Sequence, residues 1–164
     1  MKLGSARLTI NTQGNDLFSG VISGSGELEK VGGGQLQLTS DQTYSGVTTV
    51  ADGTLLLGNG GEKGLVDGDI DNAGLVVFDF GVNRIYSHAI NGAGDVMQQG
   101  DGILTLTQSH GYTGKTTIDA GGIVLLNNAQ LSGTSNVAVA SGAMLGGYGG
   151  VGGDVDNQGA SGRG

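Results

Sequence analysis

A 50-residue stretch of the chain recurs without gaps 68 residues further on. Residues 8–57 align with residues 76–125, and 16 of these 50 positions are identical. The clearest match sets residues 24–57 against residues 92–125, so that Tyr44 aligns with Tyr112 and Gly46 with Gly114. A fixed internal period indicates one structural unit stacked on itself. We therefore expect a building element rather than an enzyme.

Short apolar runs interrupt a Gly-rich background at regular intervals. The chain has 36 Gly and no Pro, and runs such as Leu36–Leu38 and Ile103–Leu106 are bounded by Gly, Asn and Asp. Such runs are typical of strands separated by turns. No long segment shows the 3.6-residue period of an amphipathic helix. The pattern predicts an all-β fold.

The period itself suggests a solenoid, because it divides into three coils of roughly 20–25 residues, the size of a β-helix rung. On this interpretation the chain forms roughly seven rungs. Leu36 and Leu38 should point into the coil, with Gln35 and Gln37 outward, because side chains alternate along a strand. We also expect Tyr44 and Tyr112 to cover neighbouring parts of the same side of the rod.

Charge and composition exclude several classes of protein. Only 7 basic residues oppose 15 acidic ones, giving a formal charge of −8. Nucleic acids and anionic lipid surfaces attract the opposite charge, so we expect no nucleic-acid partner. Cys is absent, so any stability must come from elsewhere than disulfides. No signal peptide opens the chain, and no apolar run has the roughly 18 residues of a membrane-spanning helix.

The repeat breaks down after Leu126. Residues 68–74 return as residues 153–159, now at an offset of 85 rather than 68. We expect repeated rungs over residues 3–126 and a variant, cap-like segment over residues 127–160. Residues 1–2 and 161–164 look like ends added by cloning.

The repeated residues resemble the passenger-associated strand repeat of monomeric autotransporters from Gram-negative bacteria. The pattern G-x-G-x-L-x-K-x-G-x-G-x-L-x-L is met by Gly24–Leu38, and its continuation by Tyr44–Val50 and Gly53–Leu55. The second copy departs from it at Gln98 and Gln99. Residues 137–159, here called the junction segment, resemble the motif that closes the passenger stem in that family.

The resemblance implies a right-handed parallel β-helix lying just before a translocator barrel at the bacterial outer membrane, extracellular after transit through the periplasm. The segment in that place is the autochaperone, which folds first and templates the remaining rungs. The implied partners are the rest of the passenger and the barrel, with a host molecule or a like protein as possible partners of the whole passenger. The implied role is a non-catalytic stem that supports surface display of a virulence-type protein. An adhesive or self-associating surface is the alternative.

The resemblance also selects residues that we expect to matter for folding rather than for chemistry. They are Tyr44, Gly46, Tyr112, Gly114, Leu145, Gly146, Tyr148, Val151, Gly153, Val155 and Asn157.

Other motifs favour structural interpretations. Asp67, Asp69 and Asp71 superficially resemble a calcium loop, but Asn72 stands where that loop needs Gly. Alternation instead turns these carboxylates outward around Ile70, and Asp154 and Asp156 repeat the pattern around Val155.

Residues 146–154 are a single poor copy of a calcium-binding nonapeptide, which needs tandem copies to bind the ion. His88 and His110 should lie on the surface, and Arg84 in a solvated loop or beside Asp79 or Asp95. Polysaccharide-cleaving β-helices set carboxylates and basic residues in a groove, and basic partners are scarce here. We expect no catalytic, metal or cofactor site.

Overall fold

The chain forms a parallel β-solenoid of eight turns, seen in a computed structural model that describes residues 1–158 and 160–161. Every strand pairing in it is parallel, and the described residues contain no helix. This confirms the all-β solenoid, with a turn count close to the roughly seven expected. Residues 162–164, which we interpreted as part of a cloning-derived end, lie outside the described residues, as does Gly159.

Each turn visits three faces in the same order, and each face is a ladder of parallel strands. The first face contains β1 (Arg7–Asn11), β3 (Glu27–Val31), β5 (Thr48–Val50), β7 (Ile70–Asn72), β10 (Ile90–Asn91), β15 (Gln130–Leu131) and β18 (Gly150–Val151). The second contains β2 (Asn15–Phe18), β4 (Gln35–Leu38), β6 (Thr54–Gly61), β8 (Leu75–Phe80), β11 (Asp95–Gln98), β13 (Thr116–Ile118), β16 (Asn136–Val139) and β19 (Asp154–Asn157). The third contains β9 (Arg84–Tyr86), β12 (Ile103–Leu106), β14 (Gly122–Leu125), β17 (Met144–Gly147) and β20 (Ala160–Ser161).

The core is a set of apolar columns running through the turns. Alternation within each strand places one residue inward and the next outward, as β4 shows with buried Leu36 and Leu38 beside partly exposed Gln35 and Gln37. On the second face Leu36 stacks on Leu55, which stacks on Val76. Each turn therefore buries its apolar side chains only against its two neighbours, which makes stability a sum of turn and interface contributions.

Two stretches of the ladder lack regular strands. On the third face the first three turns contribute only irregular backbone, linked by bonds such as Tyr44 N–H to Ile22 O at 3.0 Å. On the first face the sixth turn contributes a single bridge, between His110 and Leu131.

The sequence repeat does not correspond to a whole number of turns. Leu28 lies on the first face and its equivalent Val96 on the second, while Leu36 lies on the second and its equivalent Leu104 on the third. The 68-residue period thus spans three turns plus one face. The prediction of three coils per repeat was wrong in this respect, because successive residues of one column are only 18 to 22 positions apart on the first two faces.

The same rotation overturns the prediction for Tyr44 and Tyr112. Tyr44 bonds to Ile22 in the third-face column, whereas Tyr112 bonds to Ile90, which pairs with Ile70 on the first face. The two rings therefore lie on different faces, and both are buried.

After Leu126 the solenoid continues without leaving its axis. Asn127 and Asn128 have φ values of 56° and 59°, a left-handed conformation that Asn tolerates better than most residues. They form a turn that leads into β15. Beyond it Val137 pairs with Thr116 behind it and with Val155 ahead of it. The larger offset of 85 thus corresponds to one additional turn.

Candidate functional site

The Tyr-x-Gly-x-Thr motifs form hydrogen bonds inside the core. Tyr44 Oη lies 2.5 Å from Thr48 Oγ1, and Tyr112 Oη lies 2.5 Å from Thr116 Oγ1. Burial raises the pKa of both phenols, so both stay protonated at neutral pH. Each pair closes the corner between two faces without leaving a buried hydroxyl unpaired.

The Gly of each motif is required by the close approach of the preceding turn. A Cβ on Gly46 would lie 2.2 Å from the carbonyl oxygen of Gly26, and one on Gly114 would lie 2.1 Å from that of Gly94. Real Cβ atoms do not come so close to an oxygen, so a side chain here would push two turns apart. The four predicted motif residues, Tyr44, Gly46, Tyr112 and Gly114, thus all lie at turn-to-turn contacts.

The predicted residues of the junction segment lie in the last two turns. Leu145 and Val151 are partly buried against the core, and a Cβ on Gly153 would lie 2.4 Å from Ser135 O. Tyr148 is 71% exposed and Val155 45% exposed. Gly146 pairs with Val124, and Asn157 with Val139.

Lys30 is a buried cation whose ammonium serves as a corner clamp. Its Nζ donates to Gly32 O at 2.7 Å and to Asp52 O at 2.9 Å. Burial lowers the pKa of Lys30, an effect only partly opposed by the charge of Asp52. Gln98, its equivalent in the second repeat, donates from Nε2 to Gly100 O and Gly102 O at 3.2 and 2.7 Å. Two different side chains thus satisfy the same kind of Gly-rich corner.

Arg84 fastens an irregular loop rather than lying in a solvated one. Its Nη1 donates to Asp41 Oδ1 at 3.0 Å and to the carbonyl oxygen of Glu62, and its guanidinium stacks over Phe80 at 5.2 Å. The prediction of a solvated position or a pairing with Asp79 or Asp95 was therefore wrong. Because Asp41 is distant in sequence, no local pattern could have indicated it.

The Asp41 carboxylate collects three donors. Partial burial would raise its pKa, but hydrogen bonds from Leu65 N–H, Arg84 and Gly64 N–H outweigh this and the pKa of Asp41 is lowered. These groups line a shallow cavity of about 190 Å³ on the third face, which His88 and Ser87 also border. Its polar groups bond to one another, so it is best understood as the anchor of the loop between β6 and β7.

His88 and the acidic run form a surface network. His88 Nε2 lies 3.0 Å from Asp67 Oδ1, and Asp69 Oδ1 accepts the Ala89 N–H at 2.9 Å. Asp67, Asp69 and Asp71 are exposed around the buried Ile70, as alternation predicted. In the described part of the chain no three His, Cys, Asp or Glu side chains are grouped to hold a metal ion.

His110 lies in the core, and the prediction of a surface position was wrong. It is 1% exposed, its Nδ1 accepts the Ile90 N–H at 2.9 Å, and its ring stacks on Tyr86 at 6.5 Å between centroids. Burial lowers the pKa of His110 to about 4, against a smaller opposing effect of Asp69. The alignment of His110 with Gln42 could have indicated this, since Gln42 Oε1 accepts the Ile22 N–H in the same way.

Comparisons with known proteins agree with this architecture. The passenger-associated-transport-repeat family matches residues 28–57 and 98–125, the two copies of the corner-and-strand unit. A curated protein of *Brucella suis* biovar 1 (strain 1330), described as adhesin BmaC autotransporter, is 37% identical over 102 residues. That alignment covers 62% of this chain and 3% of the relative, so the chain spans a small part of the relative's length. No solved structure matches.

The part of the chain that the structure describes has no helix able to cross a membrane. The repeat family and the autotransporter relative indicate an outer-membrane-associated, surface-exposed location. The chain is thus a segment of an autotransporter passenger, built from passenger-associated-transport repeats.

Proposed function

We propose that this segment is a non-catalytic stem of its passenger, whose last turns nucleate β-helix folding and so support translocation and surface display. The observation that carries the proposal is the ladder on the second face, which runs through all eight turns without interruption. Each turn presents a ready edge of N–H and C=O groups on which the next can form. In solenoids, folding nucleates once and then propagates through such neighbour contacts.

The close packing of the junction segment supports a nucleating role for the C-terminal turns. A Cβ on Gly149 would lie 1.9 Å from Ala129 O, and one on Gly152 would lie 2.0 Å from Ser132 O. These glycines let the eighth turn approach the seventh closely over a short path, since Val137 and Val155 are only 18 positions apart. Short loops cost less entropy to close, which favours early formation of this pair of turns.

A test of the stem role needs the parent protein together with its translocator barrel. Deletion of residues 8–158 should abolish surface display and protease resistance of the passenger. Normal display without them would contradict the proposal.

The nucleating role is tested separately by removing one whole turn at a time. Deleting residues 131–150 joins Gln130 to Val151 in register, and deleting residues 28–47 joins Glu27 to Thr48 in register. We expect the first deletion to reduce display strongly and the second to be tolerated. Equal effects of the two deletions would leave the stem without a special nucleus at its C-terminal end.

An adhesive surface is the second candidate, favoured by exposed apolar side chains and by the relative's description as an adhesin. Leu17 and Ile85 are each 63% exposed and Tyr148 is 71% exposed. Replacing Ile85 and Tyr148 by Ser should leave display unchanged and reduce attachment to host cells or to like cells. Unchanged attachment would exclude these side chains as the adhesive surface.

A further inference from the structure

His110 and Gln42 do the same structural task on different faces. Gln42 Oε1 accepts the Ile22 N–H at 2.7 Å, and 68 residues later His110 Nδ1 accepts the Ile90 N–H at 2.9 Å. In each case a buried side chain replaces a carbonyl oxygen of the ladder. The difference lies in chemistry, since an amide oxygen does not titrate near neutral pH and an imidazole does.

His110 stands where the first face is weakest. The regular ladder stops at β10 and resumes only at β15, and the sixth turn between them contributes one bridge. The remaining links are His110 N–H to Gln130 O at 2.8 Å, and the N–H groups of Gly111 and Tyr112 to Ile90 O at 3.0 and 3.2 Å. The Ile90 N–H depends on the imidazole alone.

Protonation is incompatible with that hydrogen bond. Because Nδ1 accepts the Ile90 N–H, the neutral ring carries its proton on Nε2, and Nε2 has no partner in the described part of the chain. A second proton would have to bind Nδ1, which would then be a donor facing another donor. The imidazolium can therefore form only after the Ile90 contact opens.

The charged and titratable groups around the ring do not remove this conflict. Tyr86 and Tyr112 pack on its two sides with ring centroids 6.5 and 6.3 Å away, and their phenols stay protonated. Asp69, which accepts the Ala89 N–H, favours the imidazolium, but desolvation dominates. On the far side of Tyr86, His88 bonds to Asp67. The turn that follows contributes only neutral Gln130 and Leu131.

We propose that His110 makes the first face an acid-sensitive seam, which opens between the fifth and sixth turns when the ring is protonated while the other two faces stay paired. On those faces β11 pairs with β13 and β12 with β14, so opening is local. The device goes beyond the stem role and does not depend on it. It would let acid loosen one flank of the rod without dissolving it.

Amide hydrogen exchange measured by NMR on the whole chain tests the seam. Relative to the intrinsic exchange rate, opening at the Ile90 amide should become about tenfold more frequent for each pH unit between about 6.5 and 4. The Val96 amide, which donates to Lys115 O on the second face, should keep its protection over that range. Equal behaviour of Ile90 and Val96 at every pH would overturn the proposal.

Two reciprocal variants are matched controls. His110→Gln should retain the acceptor and abolish the acid dependence at Ile90, whereas Gln42→His should create the same dependence at Ile22. Acid dependence that persists in His110→Gln would overturn the proposal.

Ring ¹⁵N NMR of the unaltered chain gives an independent decision should either variant fold poorly. Nδ1 should be unprotonated at neutral pH and gain its proton over the pH range in which Ile90 opens. Titration near pH 6.5 with no change at Ile90 would overturn the proposal.

Discussion

Tyr44 and Tyr112 make the same hydroxyl contact on different faces of the solenoid, but the two contacts differ in reserve. Thr48 Oγ1 bonds only to Tyr44, whereas Thr116 Oγ1 bonds to Tyr112 and also to Thr134 Oγ1 at 2.9 Å. Removing the phenol hydroxyl therefore leaves a buried orphan in the first case and a satisfied hydroxyl in the second.

We accordingly expect Tyr44→Phe to be more destabilising than Tyr112→Phe. The first should cost about 1–3 kcal/mol, the penalty for an unsatisfied buried group, and the second at most about 1 kcal/mol. Urea unfolding monitored by circular dichroism gives both values. If Thr134→Val is added to Tyr112→Phe, the cost should rise towards that of Tyr44→Phe, and equal costs for the two single variants would contradict this account.

Lys30 should be replaceable by Gln but not by Met. Gln98 already performs the clamp in the second repeat, so Lys30→Gln retains a donor for the corner carbonyls and avoids the cost of burying a charge. Lys30→Met fills the same space and leaves the oxygens of Gly32 and Asp52 without that donor. We expect little change or a gain in the free energy of unfolding for Gln and a loss of about 1–3 kcal/mol for Met. A Met variant as stable as the Gln variant would show that the clamp is dispensable.

A side chain at Gly46 should separate two turns. Gly46→Ala places a methyl group 2.2 Å from Gly26 O, while Gly33→Ala meets no atom within 4 Å. Overpacking of this kind costs about 1–3 kcal/mol, and an unhindered surface substitution changes stability by about 0.5 kcal/mol or less. Thermal unfolding of the two variants side by side checks the difference, and similar midpoints would contradict the close approach.

Asp41 should contribute stability only where it is ionised. Its pKa is lowered in the folded state from an ordinary value of 3.8, so the contribution is complete above that value and is lost as pH falls through the folded pKa. Asp41→Asn should therefore be less stable than the natural chain at pH 7, and the gap should narrow below pH 4. Melting temperatures measured from pH 7 to pH 3 test this. The exposed Asp71→Asn is the control, and a gap independent of pH would contradict the ion pair with Arg84.

The periodicity predicted more of the fold than of the contacts. Alternation identified Leu36 and Leu38 as core, and the Gly-bounded strands indicated stacked parallel coils. It could not identify the face of each residue, because a turn of about 20 residues does not divide 68, and small deviations accumulate into one whole face. The Arg84–Asp41 pair was out of reach for a related reason, since it joins residues two turns apart. His110 was misjudged because its residue type was weighed more heavily than its alignment with Gln42.

The rotation of the repeat leads to a last prediction, about internal deletions. Removing residues 29–96 joins Leu28 to Met97 and leaves every strand-and-corner sequence intact, although each later residue moves back by one face. Because equivalent residues occupy equivalent local surroundings on different faces, as Lys30 and Gln98 do, we expect a shorter but cooperatively folded solenoid. Removing residues 29–95 leaves one extra residue in the strand and places Leu28 and Val96 side by side, so that one of them must face outward. Circular dichroism and urea unfolding should show a cooperative transition for the first deletion and a weaker one for the second. Equal stability of the two would mean that corners absorb a single residue, and failure of both would mean that each strand is specific to its own face.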